Sequence, residues 1–548
     1  MLITKAKIRW VMAKSADALK SLEGGAEILE LYGKNKHAIL PNMPKFVRLT
    51  FHDCILEEDG TGCNGCLNFE KMGAMFSEKP CASRRSNCSL TAGGIHPEKG
   101  PFMTDNNNLL WTAKVLEEVY KNPAFGPQIM KSNQSLFQTG KSRADLWAFA
   151  GLVALQRSIE NNNEECDPSK PPPCLNQANE NSPSCFIKMP VLQFRSGRSD
   201  CTSSCAGEND HPFCTEAAEV HPNPHGNGSD TTKFFADNFK LTNRETVALM
   251  GVHTLGHPEE VNSMFRHYGW TPQGRTEFNN QYFINLANKT NYQAVNPKRL
   301  LSKEQSRQMD QCNLTASAFI GDEYGNPFPV GYRVRSERRT NAFGPWNWSL
   351  MGSSCSSSIC SNITASGASF SINSCCNWMD FCQNNQMGCP FRKNCGRPGE
   401  PECEPFSNFQ RTSMLSVDMG LHIKFETNED GRPVGCPGMD TRWLENKRST
   451  SKIVECDIND DQGDDSHTMA ELVQLFASQQ DLWVAEFRNV FLKMLENGVN
   501  QADLVDASNS WMDAVCDDRR GACFPRDILT NILQTLDTLD LRMFEKYM

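Results

Sequence analysis

The segment RADLWAFAGLVALQRSI, at residues 143–159, most constrains the fold, because it is apolar on nearly all sides of a helix. A helix of that kind must be surrounded by other elements. Apolar residues spaced three and four apart also occupy residues 11–32, 109–121 and 468–496, whereas alternating strand patterns are sparse. The chain is therefore predicted to be mainly α, with residues 143–159 buried.

Two further helices can be recognised by the residues at their ends. One begins near Lys45, after a loop closed by prolines that include Pro44. The other spans residues 243–255, because Thr242 and Glu245 have the spacing of a capping box. Each of these helices carries one histidine of interest.

Changes in composition divide the 548 residues into three parts. Residues 1–302 are expected to form most of a helical core, with a polar, proline-rich loop insertion at residues 160–189. Residues 303–410 are rich in Gly, Ser, Asn and Cys, which predicts an irregular insertion stapled by disulfides. Residues 411–548 are expected to complete the core and to end in a tail.

The 24 cysteines are concentrated in two stretches, at residues 166–214 and 355–403. A zinc-binding module or a thiol oxidoreductase is disfavoured, because the C-x-x-C pair Cys63 and Cys66 has neither a second half-site nor a βαβ pattern around it. Disulfides of an oxidising compartment are favoured, so we predict an extracellular, secreted and glycosylated protein. Residues 1–20 lack an uninterrupted apolar stretch and are not expected to act as a signal peptide.

The charge and hydropathy of the chain exclude two classes of partner. A net charge of −10 disfavours binding of nucleic acid, which needs a basic face. No run of eighteen apolar residues occurs, so we expect no membrane span.

The heptapeptide RLTFHDC holds Arg48 and His52 one helical turn apart. Residues four apart share a helix face, whereas consecutive residues do not. His52, Asp53 and Cys54 therefore cannot form a nucleophilic triad. The residues that can act together are the cation Arg48 and the base His52, beside the aromatic ring of Phe51. Phe51 can also be an ordinary residue of the core.

The segment VALMGVHTLGH places His253 on an apolar stripe with Leu249 and Met250. Two interpretations remain open from the residues alone. His253 is either a core histidine that bonds a backbone carbonyl, or an axial ligand of haem iron from an apolar pocket.

Five segments in order resemble the plant-type (non-animal) haem peroxidase superfamily. They are RLTFHDC; DNNNLLWTAKVLEEVY; ADLWAFAGLVAL with GRSD; LTNRETVALMGVHTLG; and MLSVDMGL with FASQQDLWVAEFRNVFLKMLENG. The core is similar to the cytochrome c and ascorbate peroxidase branch, and the Cys-rich insertions are similar to secreted members. The resemblance covers most of residues 11–300 and 411–498. It implies an all-helical fold with haem b between a distal helix and a proximal helix.

The resemblance implies a role for each residue on the distal side. His52 would be the base that takes a proton from bound peroxide, and Arg48 would stabilise the negative charge that develops. Phe51 would wall the pocket above the haem. Asn107 would bond the imidazole of His52 and keep it basic. The resemblance also implies that Cys54 and Cys63 are bridged.

On the proximal side the resemblance makes His253 the iron ligand, with Thr254 beside it. Asp418 would accept the second N–H of His253, which gives the imidazole anionic character. A cap of a helix or turn is the other interpretation of Asp418. Trp270 is either the tryptophan that one branch carries beneath the haem or a core aromatic, and both interpretations remain open.

Secreted members of the family bind calcium, and the chain departs from their ligand sets. The distal site would use Asp53 and Gly62, but Asn64 stands where the family has an acid and Cys66 where it has a hydroxyl. On the proximal side Thr254 is kept, but Asn279 stands where secreted members have an aspartate. Neutral and thiol groups are poor ligands for a hard cation, so we expect weak calcium binding at most.

The function that the resemblance implies is reduction of hydrogen peroxide, followed by one-electron oxidation of a small aromatic, phenolic or protein donor. The alternative is a catalytically retired peroxidase fold that serves as a Cys-rich extracellular binding or matrix protein. Loss of Arg48, His52, His253 or Asp418 would favour that alternative, and all four are present.

Overall fold

The computed structural model describes the greater part of the helical core. The described residues are 1–32, 40–57, 59–67, 109–127, 132–165, 186–201, 222, 226–256, 270–271, 276–287, 292–295, 347–350, 413–427, 433–435, 457–520 and 522–525. The prediction of a mainly helical fold is confirmed. Most of the expected insertion at residues 303–410 lies outside the described residues, as does Asn107, so the proposed boundaries stay predictions.

Twelve α-helices lie within the described residues. In chain order, α1 to α12 are Leu2–Ala13, Ser15–Lys20, Gly25–Tyr32, Met43–Asp53, Leu110–Lys121, Arg143–Glu165, Gly228–Phe239, Asn243–Met250, Gln281–Ala287, Ser416–Met419, Met469–Ser478 and Gln480–Met494. Short 3-10 helices occupy Phe137–Thr139, Gly251–Thr254 and Asn509–Trp511.

The described strands are short, and one of them, Ser413–Leu415, contributes Met414 to the helical core. In chain order, β1 to β9 are Arg195–Ser196, Tyr292–Val295, Asn347–Leu350, Ser413–Leu415, Glu426–Thr427, Pro433–Gly435, Val505–Asp506, Val515–Asp517 and Ala522–Phe524. They pair antiparallel, as the three-stranded sheet β2-β3-β4 and the pairs β1-β7, β5-β6 and β8-β9.

Helix α6, which contains the apolar segment predicted to be buried, packs closely on α4. Its Trp147 is 0% exposed, and its carbonyl oxygen accepts a hydrogen bond of 3.1 Å from Thr50 Oγ1 on α4. A Cβ at Gly151 would lie 2.6 Å from Thr50 Oγ1, so glycine is required where the two helices meet. The burial predicted for α6 is confirmed, and α6 supports the helix that carries Arg48 and His52.

The helix predicted at residues 11–32, with Gly24 and Gly25 as its weak point, is divided in the structure. The structure has three helices there, which begin at Leu2, Ser15 and Gly25. The chain leaves helical geometry at Lys14, and Gly24 has a φ of +69°, which suits glycine. Buried apolar residues continue through both breaks, with Val11 and Ala18 in the main core and Leu19 and Leu29 in a smaller cluster.

Two other helix ends differ from the predictions. Helix α4 begins at Met43, so Pro44 lies in its first turn rather than in the preceding loop. Proline is tolerated there because the first-turn N–H groups have no partner within the helix. The stripe predicted at residues 468–496 divides at Gln479 into α11 and α12. The capping box of Thr242 and Glu245 is confirmed.

Among the described helices, none combines the length and the apolar character that crossing a membrane requires.

Basic residues of α1 attach the last described segment to the core. Lys5 is 0% exposed, and its Nζ donates to the carbonyl oxygen of Trp511 at 2.6 Å. Arg9 bonds Glu160 of α6 at 2.6 Å and Asp518 at 2.5 Å. The segment after α12, with its Cys516–Cys523 disulfide, is therefore held against α1 and α6 by buried cations.

Burial lowers the pKa of Lys5 to about 8, which makes the stability of the protein depend on pH. The folded state binds fewer protons than the unfolded state between pH 8 and the ordinary lysine pKa of 10.5. The free energy of unfolding should therefore rise through that window, by roughly 3 kcal/mol. Denaturant unfolding of Lys5→Met should lack this rise. The exposed Lys14→Met is the control, and equal pH dependence in all three proteins would contradict the assignment.

Candidate active site

Helix α4 presents Arg48 and His52 one turn apart, as their spacing predicts. His52 is buried at 7% exposure, and Arg48 is half-buried. The ring of Phe51 meets the His52 ring edge-on, with centroids 5.6 Å apart, and stacks on Phe239 of α7 at 5.4 Å. Phe51 is thus an aromatic wall beside the histidine and also part of the core.

The C-terminal end of α4 is fixed by covalent and polar contacts. The expected Cys54–Cys63 disulfide is present, and Cys66 is bonded to Cys201, so the C-x-x-C pair belongs to two different disulfides. Asn497 Nδ2 donates to the carbonyl oxygens of Cys54 and Asn238, each at 2.8 Å. These contacts fix the orientation of the helix that carries Arg48 and His52.

The groups named for a distal calcium site are engaged within their own loop. Asp53 Oδ1 accepts the backbone N–H groups of Gly65 at 2.8 Å and Cys66 at 3.1 Å. Asn64 Nδ2 donates to Glu57 Oε1 at 2.9 Å, and a Cβ at Gly62 would lie 3.1 Å from a backbone oxygen. Within the described ranges, no group of three or more His, Cys, Asp or Glu side chains could hold a metal ion.

His253 lies in the 3-10 helix Gly251–Thr254, not in the α-helix predicted to reach residue 255. Helix α8 ends at Met250, and the chain tightens at Gly251, where a Cβ would lie 2.6 Å from both Phe283 and Trp483. The backbone therefore passes directly over two aromatic rings, which glycine alone permits without a shift. The side chain of His253 is 25% exposed.

Asp418 is completely buried, and four donors converge on its carboxylate. Oδ1 lies 2.6 Å from Nδ1 of His253 and accepts the hydroxyl of Tyr282 at 2.8 Å. Oδ2 accepts Nε1–H of Trp270 at 2.7 Å and the backbone N–H of Leu415 at 2.8 Å. If Asp418 were only the cap of a helix or turn, the bond from the backbone of Leu415 would be enough. The other three hydrogen bonds come from side chains that are distant in sequence.

Trp270 lies flat on His253, with ring centroids 4.0 Å apart and planes inclined by 12°. Its indole N–H bonds the same carboxylate that bonds the histidine. Stacking and hydrogen bonding together fix the plane of the imidazole. The position of Trp270 is therefore tied to His253 and Asp418, and core packing alone does not account for it.

Close backbone packing brings Asp418 to His253 from 165 residues away. A Cβ at Gly228 would lie 2.3 Å from the carbonyl oxygen of Gly420, so α7 begins directly on the turn that follows α10. Asn459 Nδ2 donates to the same oxygen at 2.7 Å. Two glycines and one asparagine thus set the position of the Asp418 segment.

Thr254 belongs to a network of neutral groups next to His253. Thr254 Oγ1 donates to Asn279 Oδ1 at 3.3 Å, and Asn279 Nδ2 donates to Asn162 Oδ1 at 3.0 Å. The carbonyl oxygen of Thr254 accepts the hydroxyl of Thr271 at 3.3 Å. Within this network the amide and hydroxyl groups bond one another.

The segment after His253 returns to the start of α4. Gly256 has a φ of +78°, and a Cβ there would lie 3.0 Å from Cβ of Pro44. The helix that carries Arg48 and His52 and the turn that carries His253 thus meet at one end.

Sequence reasoning missed Tyr282 as a site residue. The segment FNNQYFINL predicts nothing beyond buried aromatics. The hydrogen bond between Tyr282 and Asp418 is formed only in the tertiary structure. The motif GRSD makes structural contacts, because Arg198 pairs with Asp145 at 2.9 Å and Asp200 accepts the N–H of Ala144 at 2.9 Å.

A sequence model of the peroxidase family matches residues 128–320. This match at residues 128–320 supports the plant-type haem peroxidase superfamily that the five segments resemble. The match includes His253, Trp270 and Tyr282, whereas Arg48, His52 and Asp418 lie outside it. No curated protein matches the chain significantly. Peroxidases are oxidoreductases that act on peroxide with a reducing substrate, and that general function follows for this domain.

The residues around His253 fit the haem that the family generally binds. Nδ1 of His253 is held by the buried carboxylate of Asp418, so Nε2 is the ring nitrogen that can bind iron. The imidazole is the partly exposed member of a group in which Asp418 and Trp270 are buried. A neutral imidazole with a carboxylate behind it is a donor suited to haem iron.

The four bonds to Asp418 predict that the site also stabilises the fold. Asp418→Asn would turn an amide N–H₂ toward two of the four donors, at a cost of roughly 1–3 kcal/mol for each donor left unsatisfied. Denaturant unfolding of the apoprotein should show a matching loss. The exposed Asp237→Asn is the control and should stay near the wild-type value. An equal, small effect of both variants would contradict the hydrogen-bond pattern at Asp418.

Proposed function

We propose that this protein is a haem peroxidase that reduces hydrogen peroxide and oxidises small aromatic, phenolic or protein donors in one-electron steps. The observation that carries the proposal is the bonding of His253 and Trp270 to one buried carboxylate, Asp418. A structural histidine needs one acceptor, whereas this imidazole is fixed in tautomer, in plane and in distance from a carboxylate. Those three constraints suit a histidine that would hold the iron of a haem.

When bound, haem b supplies the redox-active iron at which the O–O bond of hydrogen peroxide is cleaved. His253 would hold the iron through Nε2, while its Nδ1–H donates a hydrogen bond to Asp418. Trp270 would keep the imidazole plane fixed by stacking. Because tryptophan is readily oxidised, Trp270 is also suited to give up an electron in the donor steps.

His52 and Arg48 would manage the proton and the charge on the other side. His52 takes a proton from one oxygen of hydrogen peroxide and returns it to the leaving oxygen, which departs as water. Arg48, one turn earlier, stabilises the negative charge that develops on the leaving oxygen. Phe51 would form the wall of the pocket beside His52. Asn107 is proposed to bond His52 and keep it basic.

Over one cycle, hydrogen peroxide gains two electrons and two protons and becomes two waters. Two donor molecules each lose one electron and one proton. Phenols and aromatic amines fit this demand, because each gives an electron together with a proton. Tyrosine side chains of a protein have the same chemistry.

An extracellular location belongs to the same proposal. The disulfides Cys54–Cys63, Cys66–Cys201 and Cys516–Cys523 support it, because such bonds persist in oxidising compartments. Calcium is not required by the proposal, and weak binding near Asp53 at most is expected.

His52→Ala should separate catalysis from haem binding. The variant should bind haem with a normal Soret band but react with hydrogen peroxide roughly 10²–10⁴ times more slowly, because the proton acceptor is lost. Stopped-flow absorption at the Soret band measures this rate. The control is His467→Ala, which removes a histidine paired with Asp464 outside the site. An unchanged rate in His52→Ala would contradict the distal assignment.

His253→Ala should lose haem or bind it loosely, because the iron loses its protein ligand. Titration with haem, followed at the Soret band, measures the loss. Exogenous imidazole should restore binding in part by filling the space that the side chain leaves. A wild-type spectrum and affinity in His253→Ala would refute His253 as the iron ligand.

A further inference from the structure

We infer that Tyr282 is a positioning residue, whose hydroxyl limits how much negative charge Asp418 passes to the imidazole of His253. The inference deepens the proposed function and rests on it, since it concerns the same haem ligand. It assigns to one buried hydroxyl the tuning of the reduction potential of the iron.

Tyr282 contacts the site through its hydroxyl and through its ring. The side chain is 0% exposed, and Oη donates to Asp418 Oδ1 at 2.8 Å. The ring meets His253 edge-on, with centroids 5.9 Å apart and planes inclined by 82°. Phe283, the next residue, also packs edge-on against Tyr282 at 5.2 Å, so the ring has a fixed position.

The two oxygens of Asp418 have different hydrogen-bond partners. Because of this difference, Tyr282 can act on the bond between Asp418 and His253. Oδ2 accepts Trp270 and the backbone of Leu415, which hold the carboxylate in place. Oδ1 accepts His253 and Tyr282. Tyr282 is therefore the side chain that shares the oxygen of the histidine.

When two donors share one carboxylate oxygen, each of the two hydrogen bonds is weaker than it would be alone. A second donor on Oδ1 reduces the negative charge that this oxygen presents to His253, because a hydrogen bond to a carboxylate stabilises its charge. The proton then stays closer to Nδ1, and the imidazole is less anionic. A less anionic ligand stabilises ferric iron less, so the hydroxyl of Tyr282 raises the reduction potential.

A purely structural explanation of the hydroxyl makes a different prediction. A buried phenol needs an acceptor, and Asp418 could serve only to satisfy it. In that case removal of the hydroxyl would change stability without changing the potential. The reduction potential therefore separates the two explanations.

The test is Tyr282→Phe in the haem-loaded full-length protein, with Tyr120→Phe as the matched control. Tyr120 is a buried tyrosine whose hydroxyl bonds the carbonyl oxygen of Lys141, remote from Asp418. Spectroelectrochemistry gives the potential of each protein. We expect the equilibrium constant for iron reduction in Tyr282→Phe to fall by roughly tenfold, which is about 59 mV for one electron. The iron–histidine stretching frequency of the reduced protein should rise, and Tyr120→Phe should change neither value.

A second variant keeps the inference testable if Tyr282→Phe folds poorly. A fluorinated tyrosine at position 282 keeps the shape and is a stronger donor, so the potential should shift upward. Shifts of opposite sign in the two variants support the inference. An unchanged potential in a folded, haem-loaded variant overturns it and leaves the proposed function standing. A wild-type protein that binds no haem overturns the proposed function and this inference together.

Discussion

The carboxylate of Asp418 is the group on which the rest of the site depends. It has no access to water, and a buried charge of this kind is tolerated only when donors surround it. The donors come from the turn with His253, from Trp270, from α9 with Tyr282 and from the backbone at Leu415. Segments separated by more than a hundred residues are therefore fixed relative to one another by a single side chain.

The donors can reach Asp418 because the backbone segments around the site pack closely at glycines. Gly228 and Gly420 let α7 meet the segment of Asp418, and Gly251 lets the turn with His253 pass over Phe283 and Trp483. At the other helix, Gly151 lets α6 support α4 below Thr50. Close packing at these points, among the described residues, fixes the position of the polar side chains of the site. Fixed positions of this kind are needed if the hydrogen bonds to Asp418 are to control the reduction potential of a bound haem iron.

Sequence patterns predicted the helical class, the buried α6, the capping box of α8 and the shared face of Arg48 and His52. All of these depend on neighbours a few residues apart. The break at Lys14 and the 3-10 turn at His253 were missed, because apolar spacing continues through them, whereas the break before Gly25 falls at the paired glycines. Asp418 and Trp270 were named only through resemblance to a family, and their common bond joins residues 148 apart. Tyr282 could not be recognised, since its hydroxyl reaches Asp418 only in the folded chain.

The most direct test of the account is one absorption spectrum, recorded on the haem-loaded protein before and after one equivalent of hydrogen peroxide. The account predicts a haem spectrum whose Soret band loses intensity and shifts within the mixing time, and which returns when a phenolic donor is added. A bound haem that does not respond to peroxide would contradict it. The histidine, the tryptophan and the carboxylate would then be the remains of a retired active site.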